Sequence, residues 1–400
     1  MTLTLVDVRA AAARIQGRVL RSPLIENPAV SEACRTRVSL KLDNLQATGA
    51  FKERGAANRL ALLTAREREA GVIAMSAGNH AQAVARHATL LGVAATIVMP
   101  RFTPATKVVR TEGFGARVVL HGTTLAEAAA HAHEMARAEG LVFIHPYDDP
   151  GIIAGQGTMA LEMLEEAPDL DALILPVGGG GLITGCAVAA RELKPGMPVF
   201  GVEVEGYQAM RQRLAGQPTQ VGGPTIAEGI AVRDVGELPA EMLKALGVEI
   251  LVVSEREVEQ AIALLAEGAK VVAEGAGAAG VAAMLAHPGR FAGRHVGTPV
   301  CGGNIDARIL ANVLLRNLLR DGRLLRLHLD IPDRPGVLAD IATRVADAGG
   351  NVIEVSHQRL FASPSVQTAE LELMIEVRDR VQADAIVARL VAGDYVVRRG

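Results

Sequence analysis

From residue 72 to about 320 the chain repeats one pattern: a short aliphatic run, then a stretch of helical periodicity. The runs at 72–75, 94–99, 116–120, 141–144, 172–177, 199–204, 250–253 and 296–301 hold almost no polar residue. A strand with one wet face alternates polar and apolar residues, so an unbroken aliphatic strand must be covered on both faces. The stretches 82–91, 125–138 and 182–193 supply helices for that cover. The pattern therefore predicts an α/β fold with a mostly parallel sheet. Aromatic residues are only 2% and Trp is absent, so the cores must be aliphatic. In such sheets ligands bind beyond the carboxyl ends of the strands. Three unusual loops stand there: Ser76-Ala77-Gly78-Asn79-His80, Gly178-Gly179-Gly180-Gly181-Leu182, and Cys301-Gly302-Gly303-Asn304.

The composition shifts near Asp321-Gly322-Arg323. Beyond it the expected order is strand 324–330, a turn through Asp333, Arg334, Pro335 and Gly336, helix 337–348, strands 351–358 and 369–377, helix 381–390 and strand 395–399. This βαββαβ order sets 323–400 apart from 1–322.

Chemistry starts from Lys52, in Gly49-Ala50-Phe51-Lys52-Glu53-Arg54-Gly55-Ala56 near the start of a helical stretch, 52–63. A lysine amine condenses with an aldehyde, and burial or a neighbouring cation such as Arg54 favours its neutral form. Read alone, Lys52 is a solvated helix lysine. The glycine run exposes backbone N–H groups at a helix start, which suits a phosphate as well as a tight turn. Ser76 and Asn79 could cap a helix, or the same loop could hold a carboxylate while Asn79 meets a phenolic oxygen. Cys301 reads as a buried inert thiol or as the partner of a ring nitrogen. Phe51 is one of few aromatic residues able to stack on a ring. Together these loops describe a pocket for pyridoxal 5′-phosphate.

A net charge of −3, with no basic stripe among aromatics, argues against nucleic acid. Cys34, Cys186 and Cys301 are far apart, so a disulfide framework is not expected and a reducing cytoplasm is the default. The start, Met1 to Asp7, lacks the form of a signal peptide, and no apolar run is long enough to span a membrane. His131 and His133 are two apart on a helix, and Glu203, Glu205 and Glu228 have no metal spacing.

The motifs at 49–56, 76–82, 178–182, 225–232 (Thr-Ile-Ala-Glu-Gly-Ile-Ala-Val) and 301–304 resemble the threonine/serine dehydratases. These are pyridoxal-phosphate enzymes with the tryptophan-synthase-β fold, also called fold type II. The resemblance covers about 10–320 and implies two α/β subdomains, the smaller at about 48–150. Residues 323–400 resemble an α+β ACT regulatory domain. The combination resembles threonine ammonia-lyases with one ACT domain.

The resemblance implies the following roles. Lys52 carries the cofactor and removes the substrate's α-proton, and Phe51 packs on the ring. Asn79 contacts the cofactor oxygen, Gly178, Gly179, Gly180, Gly181 and Leu182 hold the phosphate, and Cys301 faces the ring nitrogen. Ser76, Ala77, Gly78, Asn79 and His80 bind the substrate carboxylate. L-threonine would give 2-oxobutanoate and ammonia, and L-serine pyruvate. Alternatives are a dehydratase for serine or 3-hydroxyaspartate, a β-replacement synthase, and an inactive amino-acid sensor. An amino-acid effector such as isoleucine or valine is expected near Asp333, Arg334, Pro335 and Gly336, in a homotetramer or homodimer. That control fits entry to isoleucine synthesis or threonine breakdown.

Three departures stand out. Ala77 replaces the serine that serves racemases of this fold as a second base. Ala209 replaces an acidic residue that joins the position of Glu203 in a divalent-metal site, so no metal is expected. Glu228, Cys301 and Ala50 stand where relatives often have Asp, Ser and Ser.

Overall fold

The aliphatic runs become strands covered on both faces. In the computed structural model, which describes residues 3–358 and 368–400, Ala95–Met99 and Ala172–Pro176 are buried at every position. The chain divides into two compact units, Met1–Ile305 and Asp306–Gly400.

The first unit holds two sheets. The larger orders its strands Leu24–Glu26, Arg37–Lys41, His295–Pro299, Ala172–Pro176, Val199–Val204, Glu249–Val253. Neighbours are parallel except at one edge, where Leu24 faces Lys41 in an antiparallel pair. The smaller is fully parallel, in the order Arg117–Leu120, Ala95–Met99, Val72–Met75, Val142–Phe143. The aliphatic pattern alone suggested one sheet. It marks each strand as buried but says nothing about which strand is its neighbour, and the structure resolves the set into two. Arg37–Lys41 was missed because Ser39 and Lys41 interrupt its apolar run. Both are nonetheless buried, since Lys41 Nζ bonds the Ser22 carbonyl (2.6 Å) and Glu162 (2.9 Å) while Ser39 Oγ meets His295 (2.8 Å).

Glycine sets the height of the Lys52 helix. That helix, Lys52–Ala61, packs on Pro150–Glu166, which packs on Gly181–Leu193. A methyl group on Gly155 would lie 2.5 Å from the Arg54 carbonyl, and one on Gly157 would lie 2.6 Å from the Gly185 carbonyl. Only hydrogen fits there, so three helices touch backbone to backbone.

In the second unit, helix Ala307–Arg320 starts on Asp306, whose carboxylate accepts from Arg308 N (2.9 Å) and Ile309 N (3.2 Å). Then follow strand Leu324–Pro332, helix Val337–Asp347, strands Asn351–Gln358 and Thr368–Glu376, helix Arg380–Val391 and strand Val396–Arg399. The antiparallel sheet places Leu324–Pro332 between Thr368–Glu376 and Val396–Arg399. Leu327, Leu329, Ile341, Leu371, Leu373 and Ile386 form its core. Asp333, Arg334, Pro335 and Gly336 form an exposed turn that ends with Gly336 at φ +93°, the left-handed residue opening the next helix.

Candidate active site

Each loop singled out in the first unit leaves the carboxyl end of a parallel strand. Ser76 follows Val72–Met75, the glycine run follows Ala172–Pro176, and Cys301 follows His295–Pro299. The segment before Lys52 is laid against the last of these. Phe51 N bonds the Cys301 carbonyl (2.9 Å), Gly303 N bonds the Gly49 carbonyl (2.9 Å), and Ala50 bridges Gly302.

Lys52 is half-buried, its Nζ 2.6 Å from the Pro146 carbonyl and 5.3 Å from the centre of the Phe51 ring. Burial pulls its pKa down to about 8, and Cys301 opposes that pull. The sequence reading gave Arg54 a part in this; the structure does not. Arg54 is fully buried and held by Asp43 (2.6 and 2.8 Å) and Glu162 (2.6 and 2.9 Å), so two carboxylates neutralise it. The neutral amine favoured here results from desolvation.

Gly180, at φ +95°, turns the strand into helix Gly181–Leu193. Among the described residues no protein acceptor takes the backbone N–H of Gly178, Gly179, Gly180, Gly181 or Leu182. Gly179 to Leu182 are buried, and buried N–H groups nearly always have partners, so this run at a helix start is suited to hold an anion. Over it lies the turn after Val142–Phe143, which the sequence reading passed over. His145 Nδ1 accepts from Tyr147 N (3.3 Å) and Asp148 N (2.8 Å). Burial keeps that imidazole's pKa below its usual value, as this acceptor role requires. The Tyr147 ring covers Gly179, its hydroxyl donates to the Asp234 carbonyl (2.5 Å), and Asp148 accepts from Glu237 N (3.0 Å). The one signal in the sequence was the dense polar and proline content of His145-Pro146-Tyr147-Asp148-Asp149-Pro150.

In the Ser76 loop the capping reading fails. The helix Asn79–Leu90 is capped by Gly78 with no side-chain bond, and Ser76 Oγ instead accepts from Gly78 N (3.1 Å). The N–H groups of Ala77, Asn79 and His80 have no protein acceptor among the described residues. His80 ties its side chain to the Ile144 backbone. Its ring is buried, Nε2 donates to the Ile144 carbonyl (3.0 Å), and burial depresses its pKa to about 3. Asn79 Nδ2 donates to Glu274 Oε1 (2.8 Å). Burial lifts the Glu274 pKa to about 7. Burial also pushes the Cys301 thiol well up, so the sulfur keeps its proton. The sequence reading missed Glu274, although a lone acid among the small apolar residues of 271–283 was a visible signal.

Glu203 has other work. Its oxygens accept from Met210 N (2.7 Å) and Arg211 N (3.0 Å) at the start of helix Ala209–Leu214. Among the described residues no group of three His, Cys, Asp or Glu side chains could hold a metal ion, and no helix is long and apolar enough to cross a membrane. A groove lined by Arg191, Phe200 and Arg290 opens at the amino ends of the large sheet, away from these loops.

An amine favoured in its neutral form, an anion cradle and a protonated thiol, all at strand carboxyl ends, fit a phosphorylated aromatic aldehyde. Residues 15–302 match the family described as pyridoxal-phosphate dependent enzyme, and the chain belongs to it. Residues 323–398 match an ACT domain. More particularly, the chain is 42% identical over 398 residues to an L-threonine ammonia-lyase of Thermotoga maritima, covering 99% of each. Its fold resembles threonine deaminase isoform 2 of Solanum lycopersicum, with TM-score 0.73 and 33% identity over 77% of this chain and 91% of that one. It also resembles serine racemase of Dictyostelium discoideum, with TM-score 0.72 and 34% identity over 76% of this chain and 100% of that one.

Proposed function

We propose that the chain converts L-threonine to 2-oxobutanoate and ammonia, and L-serine to pyruvate, under control by an amino acid at the ACT domain. The observation that carries this is the whole-length likeness to an L-threonine ammonia-lyase, ACT domain included. In this assignment residues 1–322 perform catalysis and residues 323–400 regulate it, with the effector near Asp333 to Gly336.

Bound pyridoxal phosphate supplies an electron sink next to the substrate's α-carbon. The chain's residues do the rest. Gly178 to Leu182 hold the phosphate, and Phe51 packs on the ring. The N–H groups of the Ser76–His80 loop bind the substrate carboxylate and fix the α-carbon against Lys52. Lys52 takes the α-proton, a task eased by the desolvation that favours its neutral form. Cys301, held neutral, lets the ring nitrogen stay unprotonated, which suits loss of a β-hydroxyl. The neighbouring loop side chain, Ala77, can return no proton, so elimination outruns racemisation. The wide spacing of Cys34, Cys186 and Cys301 in the sequence leads us to assign the chain to a reducing cytoplasm. ACT domains commonly pair, and a homodimer or homotetramer is the assembly we assign.

The test is 2-oxo acid formation by the holoenzyme from L-threonine, L-serine, D-threonine and threo-3-hydroxyaspartate. Preferential 2-oxobutanoate from L-threonine is expected. Turnover of 3-hydroxyaspartate alone would overturn the substrate, and no turnover at all with cofactor bound would overturn the reaction.

A further inference from the structure

Asn79 lies beside Asn304, a residue of the last loop that has had no role so far. An asparagine amide has nearly the same shape in two orientations, one offering N–H groups and the other oxygen. Here groups of fixed polarity decide between them. The Thr48 carbonyl can only accept, and the Arg110 guanidinium can only donate. Asn304 stands between the two, with Nδ2 2.7 Å from Thr48 O and Oδ1 2.9 Å from Arg110. Flipping it would set oxygen against oxygen and N–H against guanidinium. It has little room besides, since a methyl on Gly49 would lie 2.6 Å from Asn304 Oδ1.

The second N–H of Asn304 therefore goes to Asn79 Oδ1, at 2.8 Å. That fixes Asn79 in turn, and its Nδ2 gives one proton to Glu274 Oε1 at 2.8 Å. Glu274 is pinned through its own backbone N, which bonds the Gly302 carbonyl (3.0 Å). An amide nitrogen carries two protons, so one N–H of Asn79 remains, with its direction set.

We propose that Asn304 and Glu274 are positioning residues that aim this remaining N–H at the ring oxygen of the cofactor. The proposal rests on the contact assigned to Asn79 above. Thr48 and Arg110 act as polarity references, Glu274 takes one proton of the Asn79 amide, and the two asparagines carry that polarity to the ring. Asn304→Asp reverses it. Acceptors would then face Thr48 O and Asn79 Oδ1, and relief comes from turning Asn79 so that its oxygen meets the ring oxygen. Glu274→Gln keeps an acceptor for Asn79, whereas Glu274→Leu removes it.

The experiment compares equilibrium binding of pyridoxal phosphate and of 3-deoxypyridoxal phosphate, which lacks the ring oxygen, to the full-length apoprotein. The parent should prefer the natural cofactor by roughly tenfold to a hundredfold, the range for one hydrogen bond to a charged group. Asn304→Asp and Glu274→Leu should lose most of that preference, and Glu274→Gln should retain it. Affinity for the deoxy analogue should be the same in all four proteins, which a merely structural defect would not give. A parent that binds both compounds equally refutes the Asn79 contact itself. A parent that discriminates, with Asn304→Asp discriminating as well, refutes the positioning role alone. If Asn304→Asp fails to fold, Asn304→Ala and the Glu274 pair separate the same outcomes.

Discussion

Gly179→Ala tests whether the glycine run is a cradle or only a turn. A methyl group at this position would overlap the Tyr147 ring, on Cγ, Cδ1 and Cδ2 at once. Unbonded carbon atoms need about 3.5 Å, so the ring or the loop must retreat by more than about 1 Å. The ring cannot swing freely, because its hydroxyl is bound to the Asp234 carbonyl (2.5 Å) and Gly236 N bonds the Gly179 carbonyl (3.0 Å). The loop therefore yields, and its N–H groups leave line with the phosphate. Losing one hydrogen bond to a charged acceptor costs about 1.5–3 kcal/mol, or roughly tenfold to a hundredfold in cofactor affinity. The assay is equilibrium binding of pyridoxal phosphate to apoprotein, followed by visible absorbance. Tyr147→Ala added to Gly179→Ala frees the space, so the double variant should bind more tightly than Gly179→Ala alone. Refutation would be a single variant that binds like the parent, or a double variant no better than the single one.

Lys52 has its pKa lowered to about 8, so below that pH the amine is mostly protonated and cannot attack an aldehyde. The rate at which apoprotein and cofactor form the visible adduct should rise about tenfold per unit up to about pH 8 and then level off; a break near the ordinary lysine value would contradict the role of burial. Arg54→Met strands the buried Asp43 without its bonded cation and leaves Glu162 only Lys41, and should destabilise the fold by about 3–5 kcal/mol, read from urea unfolding by circular dichroism; a loss under about 1 kcal/mol would mean the network is dispensable. Because Ala77 carries no proton to return, L-serine should yield pyruvate with little D-serine on a chiral column; comparable amounts of the two would point to another proton donor. Exhaustive chelation should leave turnover intact, since Ala209 offers no second acid beside Glu203, and loss of turnover restored by magnesium would show the opposite.

The strands were legible because complete burial imposes a one-dimensional pattern. Ala172–Pro176 and Val199–Val204 sit where the aliphatic runs placed them. Pairing was not legible, because register depends on residues far apart in the chain. At the site, motifs rich in glycine could be read because backbone geometry restricts their composition. Glu274, Asn304 and the turn at His145 act through partners up to 256 positions away, as Asn304 does through Thr48. One sequence contains no sign of such pairs. Arg54 shows the converse error: a neighbour in sequence was credited with an effect that Asp43 and Glu162 cancel in space.

The backbone contacts at Gly155, Gly157 and Gly185 reverse a common rule for engineering heat resistance. Glycine within a helix is usually the first residue replaced by alanine, for a gain of roughly 0.4–1 kcal/mol. In this protein such replacements would pry the Lys52 helix from its support and shift the reactive amine. A library built to raise the melting temperature should therefore leave these three positions untouched and take its alanines from helical glycines with open space around them, such as Gly113 and Gly289. Survivors of a random screen should show the same exclusion unprompted.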